Sequence, residues 1–137
     1  MRYLGLDLGT KTLGISMSDK TGTIASSFKT IRFEEKDYDA TIEPLKEIIS
    51  EYDIGCIVLG LPKNMNNSLG FRSEETIEYK KLLEETLNIE VVLQDERLTT
   101  IEANNYMLEA DISRKKRKEK KDSLAANIIL QSYLDRK

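Results

Sequence analysis

The chain opens on two short stretches of alternation. From Arg2 to Leu8, the side chains of Leu4, Leu6 and Leu8 share one face and those of Tyr3, Gly5 and Asp7 the other. From Thr12 to Ser18, Leu13, Ile15 and Met17 repeat the period, so both stretches read as strands joined by a turn at Gly9, Thr10 and Lys11. Asp19-Lys20-Thr21-Gly22 is a second turn signal, and Thr23 to Phe33 predicts a third strand, completing an antiparallel meander. After a polar connection from Glu34 to Ala40 the period becomes helical. Ile42, Leu45, Ile48, Ile49 and Tyr52 share a face, Thr41 is the expected N-cap, and Pro44 falls in the first turn, where no N–H is needed.

Ile54 to Gly60 is continuously apolar, the pattern of a parallel strand covered on both faces. An irregular loop, Lys63 to Arg72, follows it. Ser73 begins a second helix, favoured by Glu74 and Glu75 near its positive end. Ile89 to Gln94 reads as a fifth strand. Thr99 and Glu102 form a capping box for a helix packed through Ala103 and Met107, and a last helix runs from about Asp122 to Leu134. Right-handed crossovers then place strands four and five parallel to strand one. The expectation is one α/β domain over residues 1–137, with a mixed five-stranded sheet, three strands antiparallel and two parallel, flanked by helices.

Composition narrows the chemistry. The chain has no histidine, which excludes imidazole-based triads, histidine general bases and histidine-ligated zinc. Its single cysteine, Cys56, lies inside the apolar strand and reads as a small core residue. The longest apolar run, Ile54 to Leu61, is far short of the ~20 residues that span a bilayer. The N-terminus enters a strand directly, without the succession of a signal peptide, so the expectation is a cytoplasmic protein with no membrane partner. Net charge is −3, but Arg114 to Lys121 (RKKRKEKK) carries +6, leaving −9 on the rest. The chain is an acidic body with one strongly basic segment.

Three places hold acids that the elements would bring together. Asp7 closes strand one and Asp95-Glu96 closes strand five, and ligands of open sheets gather at the carboxyl ends of parallel strands. Asp122 shares a helical face with Ala125, Ala126, Ile129 and Tyr133, a core-side face with two small residues. A helix-start aspartate is also a common cap, and that reading competes for Asp122. Converging carboxylates without a histidine or lysine repel one another unless hard cations bind between them, which selects Mg²⁺ or Mn²⁺. Two such ions ~3.5–4 Å apart are the usual device for phosphodiester hydrolysis.

GLDLGTKTLGISMSD, VLGLPKNMNNSLGFRS, LQDERLTTIEA and KKDSLAANIILQSYL, in this order, resemble the YqgF (RuvX) family of the ribonuclease H-like superfamily. The resemblance covers essentially the whole chain and implies a ribonuclease H-like fold. It also implies a nuclease processing the 5′ end of pre-16S ribosomal RNA, in a family related to Holliday-junction resolvases. Carried over by position, the implied catalytic and metal-binding acids are Asp7, one of Asp95 and Glu96, and Asp122. Successive strand residues face opposite ways, so only one of the pair points directly at the site, and Glu96 is favoured for its reach. The wider superfamily commonly ends its fourth strand on an acid; here that position is Gly60-Leu61-Pro62.

Expected nucleic-acid contacts are Lys11, Lys63, Asn64, Arg72 and Arg97, with Arg114, Lys115, Lys116, Arg117 and Lys118 of the basic segment, against the reading of that segment as a solvated stretch. The partner is then pre-16S rRNA or branched DNA, bound by a monomer or a homodimer. Three other functions compete: a Holliday-junction resolvase on DNA, a non-catalytic nucleic-acid-binding module in ribosome assembly, and an actin-like ATP-binding half-domain suggested by GLDLGT. The last is discriminated by thermal stabilisation with ATP, the module by binding without cleavage.

Overall fold

The computed structural model describes residues 1–61, 71–95 and 114–136, with side chains at 1–61, 74–94 and 124–136. Three antiparallel strands come first: β1 (Arg2–Leu8), β2 (Thr12–Ser18) and β3 (Ala25–Arg32). A 3-10 turn (Tyr38–Thr41) leads into α1 (Ile42–Tyr52), followed by β4 (Ile54–Leu61), α2 (Phe71–Leu87), β5 (Glu90–Asp95) and α3 (Arg114–Arg136). The sheet order is β3-β2-β1-β4-β5, with β4 parallel to both β1 and β5. The mixed five-stranded sheet matches the pattern read from the chain.

The alternation of β1 divides the core into two layers. Leu4, Leu6 and Leu8 join Leu13, Ile15, Ile57 and Leu59 beneath α1 and α2, where Leu45, Ile48, Tyr79 and Leu83 complete the cluster. On the other face α3 lies across the sheet, and Val58 packs with its Ile129, Leu130 and Leu134. Burial of these apolar faces is the main stabilising term. The helix approaches closely because β1 has a glycine beneath it: a Cβ on Gly5 would collide with Ser16 Oγ, and would lie 2.7 Å from Leu130 Cβ and 2.9 Å from the Ala126 carbonyl oxygen. Ser16 uses that proximity, its buried hydroxyl donating to the Ala126 carbonyl at 2.8 Å. Gln131 fastens α3 to the start of β3, accepting from the Ala25 N–H at 2.8 Å and donating to the Thr23 carbonyl at 3.0 Å.

Several boundaries differ from the sequence reading. β3 begins at Ala25 rather than Thr23, because the Asp19 carboxylate accepts the Thr23 and Ile24 N–H groups and prolongs the turn. These bonds, with one from Thr21 as the largest cause, lower the Asp19 carboxyl to about 2. Thr41 precedes α1 but makes no side-chain cap; its hydroxyl donates to the Tyr38 carbonyl at 2.7 Å and closes the 3-10 turn inside the expected connection. α2 begins at Phe71, two residues before Ser73.

The larger correction concerns the last helix. It starts at Arg114 rather than near Asp122, so the basic run is helical and Asp122 is not a helix-start residue. Lys, Arg and Glu are good helix formers, and no glycine or proline interrupts 114–136. The capping explanation for Asp122 therefore falls. The helix expected after Thr99 lies outside the described residues.

Gly5→Ala should test the approach of α3. Overpacking of this kind costs about 1–3 kcal/mol, and a lowered urea midpoint with unchanged slope is the expected result.

Candidate nuclease centre

The parallel strands bring Asp7 and Asp95 to one edge of the sheet. β1, β4 and β5 run the same way, so Leu8, Leu61 and Asp95 end at a common carboxyl edge. Asp7 is partly buried there and pairs with Gly14 of β2. Gly14 in turn pairs with Thr30, and continuing the Leu6–Leu59 register sets Gly60 beside Asp7, with Gln94 beyond it on β5. Asp7 thus sits in a row whose immediate neighbours on both sides are glycines. Gly5, which precedes it on the same face, lies directly beneath α3, so the row belongs to the α3 face.

α3 lies across the face that carries Asp7, with contacts to β1 at Gly5 and Tyr3. The Tyr133 ring packs on Tyr3 at 5.9 Å between centroids, and Ala126 and Leu130 lie over Gly5. The helix therefore runs opposite to β1. Two residues along a strand advance about 6.6 Å, and four along a helix about 6 Å. The next step takes β1 to Asp7 and α3 to the turn that contains position 122.

The two acids of β5 separate by parity. Position 95 falls in the row of Val91 and Leu93, which pack on the α1/α2 side, whereas Val92 and Gln94 fall in the row facing α3. Gln94, only 6% exposed, is a buried polar residue of this row that a pattern of carboxylates does not reveal. The signal was available: it lies two residues from Glu96 in a strand of period two.

Lys11 is exposed on the β1–β2 turn. Arg72 lies in the first turn of α2, and Arg114, Lys115, Lys116, Arg117 and Lys118 form the first turns of α3. Lys63, Asn64, Glu96 and Arg97 lie outside the described residues. Among the described residues no three side chains of metal-binding type cluster, and no helix is long and apolar enough to cross a membrane.

The donor set can be tested for fit to a metal. Asp7 supplies hard oxygen in a row whose immediate neighbours are glycines, and a carboxylate is a ligand type suited to Mg²⁺ or Mn²⁺ rather than to softer metals. The thiol is no competitor. Cys56 is buried, its Sγ 3.4 Å from Glu90 Oε1, and burial followed by the Glu90 contact pushes it up to about 12.

A mixed sheet in this order, with one helix across the face that carries Asp7, is a ribonuclease H-like fold, the class to which junction resolvases belong. Two solved structures share it over nearly the whole length. "T. thermophilus RuvC in complex with Holliday junction substrate" superposes with a TM-score of 0.58 at 11% identity, covering 99% of this chain and 95% of that one. "Crystal structure of Fowlpox virus resolvase and substrate Holliday junction DNA complex" gives 0.60 at 13% identity, covering 99% and 98%. At these identities the likeness shows the fold alone.

The chain belongs to the RuvX family, whose model, described as "Holliday junction resolvase", matches residues 1–136. A Staphylococcus haemolyticus protein is 51% identical over 135 residues, 98% of this chain and 95% of its own. A Geobacillus protein is 50% identical over 137 residues, 100% and 99%, and a Bacillus subtilis protein 51% over 135 residues, 98% of each. All three are described as "Putative pre-16S rRNA nuclease".

Native protein at pH 8 should react slowly with iodoacetamide at Cys56 and promptly in urea, since the thiolate is the reactive form. Equal rates measured by mass spectrometry would contradict the burial of this thiol.

Proposed function

We propose that this protein is a divalent-cation-dependent nuclease that processes the 5′ end of precursor 16S ribosomal RNA in the cytoplasm. The observation that carries the reading is Asp7, set between glycine positions at the carboxyl edge of a ribonuclease H-like sheet. The relatives at about half identity support the substrate. Asp7, Glu96 and Asp122 are the catalytic acids and hold Mg²⁺ or Mn²⁺, two ions in the full site. The parity of β5 supports Glu96 over Asp95.

When bound, such ions supply the positive charge that activates water and stabilises the leaving oxygen of a phosphodiester. The chain's own residues do the positioning. Asp7 belongs to the central strand, paired on both sides, so its carboxylate is offered with little reorganisation. Lys11, Lys63, Asn64, Arg72 and Arg97 hold phosphates around the edge. Arg114, Lys115, Lys116, Arg117 and Lys118 give an otherwise acidic chain the local positive surface a polyanion needs.

A second reading, cleavage of branched DNA, is supported by the description of the family model, "Holliday junction resolvase". It would require two centres on one junction and hence a homodimer.

The test is cleavage of end-labelled 5′-extended 16S precursor RNA and a four-way DNA junction, side by side, with Mn²⁺ or with EDTA. Cleavage should need Mn²⁺, favour the RNA, and vanish in folded Asp7→Asn. Turnover retained by that variant would overturn the assignment. Silence of folded wild-type protein on both substrates would favour a binding module instead.

Charge reversal at Lys115 to Lys118 should weaken binding more than it slows cleavage at saturation. If about four of these cations meet duplex phosphates, log affinity falls with log salt at a slope of roughly −3.6. An unchanged affinity would return the segment to a solvated role.

A further inference from the structure

The turn that follows Asp7 is closed by the Gly9 N–H donating to the Thr12 carbonyl at 2.7 Å, and it is also held from outside. Its two central carbonyls are bound from another segment: the Phe33 N–H donates to the Lys11 carbonyl and the Lys36 N–H to the Thr10 carbonyl, both at 2.9 Å. The peptide between Thr10 and Lys11 is planar and trans, so binding its carbonyl on one side directs the Lys11 N–H to the other. The segment from Phe33 to Thr41 therefore sets the orientation of the turn that carries Lys11.

That segment is in turn held by one residue of α2. The Tyr38 hydroxyl donates to Glu75 Oε2 at 2.7 Å, and Lys36 Nζ lies 3.7 Å from Glu75 Oε1. The Glu75 side chain is 13% exposed, so its carboxylate relies on these partners rather than on water. Aromatic contacts of Tyr38 with Phe33 and Tyr79, at 5.8 and 5.7 Å between centroids, brace the same segment. Lys36 itself has φ 61, a left-handed conformation that a glycine would adopt more cheaply.

We propose that Glu75 is a positioning residue: by holding Lys36 and Tyr38 it fixes the Thr10–Lys11 turn so that Lys11 meets a nucleic-acid phosphate in one orientation. This rests on the nuclease reading above, but on a different element from the acids.

The sign of the effect separates positioning from charge. Glu75→Ala removes a negative charge, so electrostatics alone would strengthen binding to a polyanion. Positioning predicts the opposite. Binding is measured by fluorescence anisotropy with labelled precursor RNA in EDTA, where no cleavage occurs, on protein whose thermal melt shows it folded. Glu75→Ala should weaken affinity about fivefold and flatten the salt slope by up to about 0.9, the loss of one phosphate contact. Glu75→Gln, which keeps an acceptor for Tyr38, should recover part of that loss. In a Lys11→Ala background Glu75→Ala should have no further effect, because the two residues act through one contact.

Affinity equal to or above wild type in Glu75→Ala, or additive losses in the double variant, would overturn the proposal while leaving the nuclease reading standing. If Glu75→Ala does not fold, Tyr38→Phe serves in its place: it removes the bond to Glu75 without changing charge, so weakened binding supports positioning, and unchanged binding overturns it. Wild-type protein that binds neither RNA nor junction would remove both readings together.

Discussion

The close approach of α3 to the sheet at Gly5 is the constraint on which the rest of the site depends. A helix seated on a sheet normally stands off by the thickness of side chains on both sides. Here β1 contributes none at Gly5, and α3 answers with Ala126, whose carbonyl is bound by Ser16. The direction of the helix follows from Tyr133 over Tyr3 and Ala126 over Gly5. The same geometry that closes the core sets the course of α3 along the face of β1 that carries Asp7. Stability and site geometry are set by the same contact.

The carboxyl edge is assembled from elements that differ in how they are held. Asp7 is fixed by the ladder of the central strand, with β2 on one side and β4 on the other. The turn after it is fixed at long range, through backbone bonds from the Phe33–Lys36 segment and the Glu75 carboxylate on α2. An acid that must hold a cation gains from rigidity, whereas a turn that meets a nucleic-acid backbone needs only a defined orientation.

Most of the architecture was legible in the chain because burial follows period. The alternation of Leu4, Leu6 and Leu8 against Tyr3, Gly5 and Asp7 separated the two faces of the sheet correctly, and the apolar run from Ile54 identified the strand covered on both sides. The start of α3 was misread because RKKRKEKK was weighed as charge, although the same residues favour a helix. Thr41 stands at the N-cap as expected, but with αR backbone (φ −85, ψ −14) and its hydroxyl donating to the Tyr38 carbonyl it makes no side-chain cap. Glu75 was read only as an acid suited to a helix start. Its partners lie 37 and 39 residues away in sequence, and no local pattern shows such a contact.

The proposed cation site joins α3 to β1 at the carboxyl edge. The most direct measurement is Mn²⁺ binding by isothermal titration calorimetry to wild type, Asp7→Asn and Asp122→Asn, each shown to be folded. The account predicts binding by wild type and a loss of at least about tenfold in affinity in either variant, in the range by which a metal site responds to its ligand environment. Asp122→Asn that binds Mn²⁺ as wild type does would contradict it.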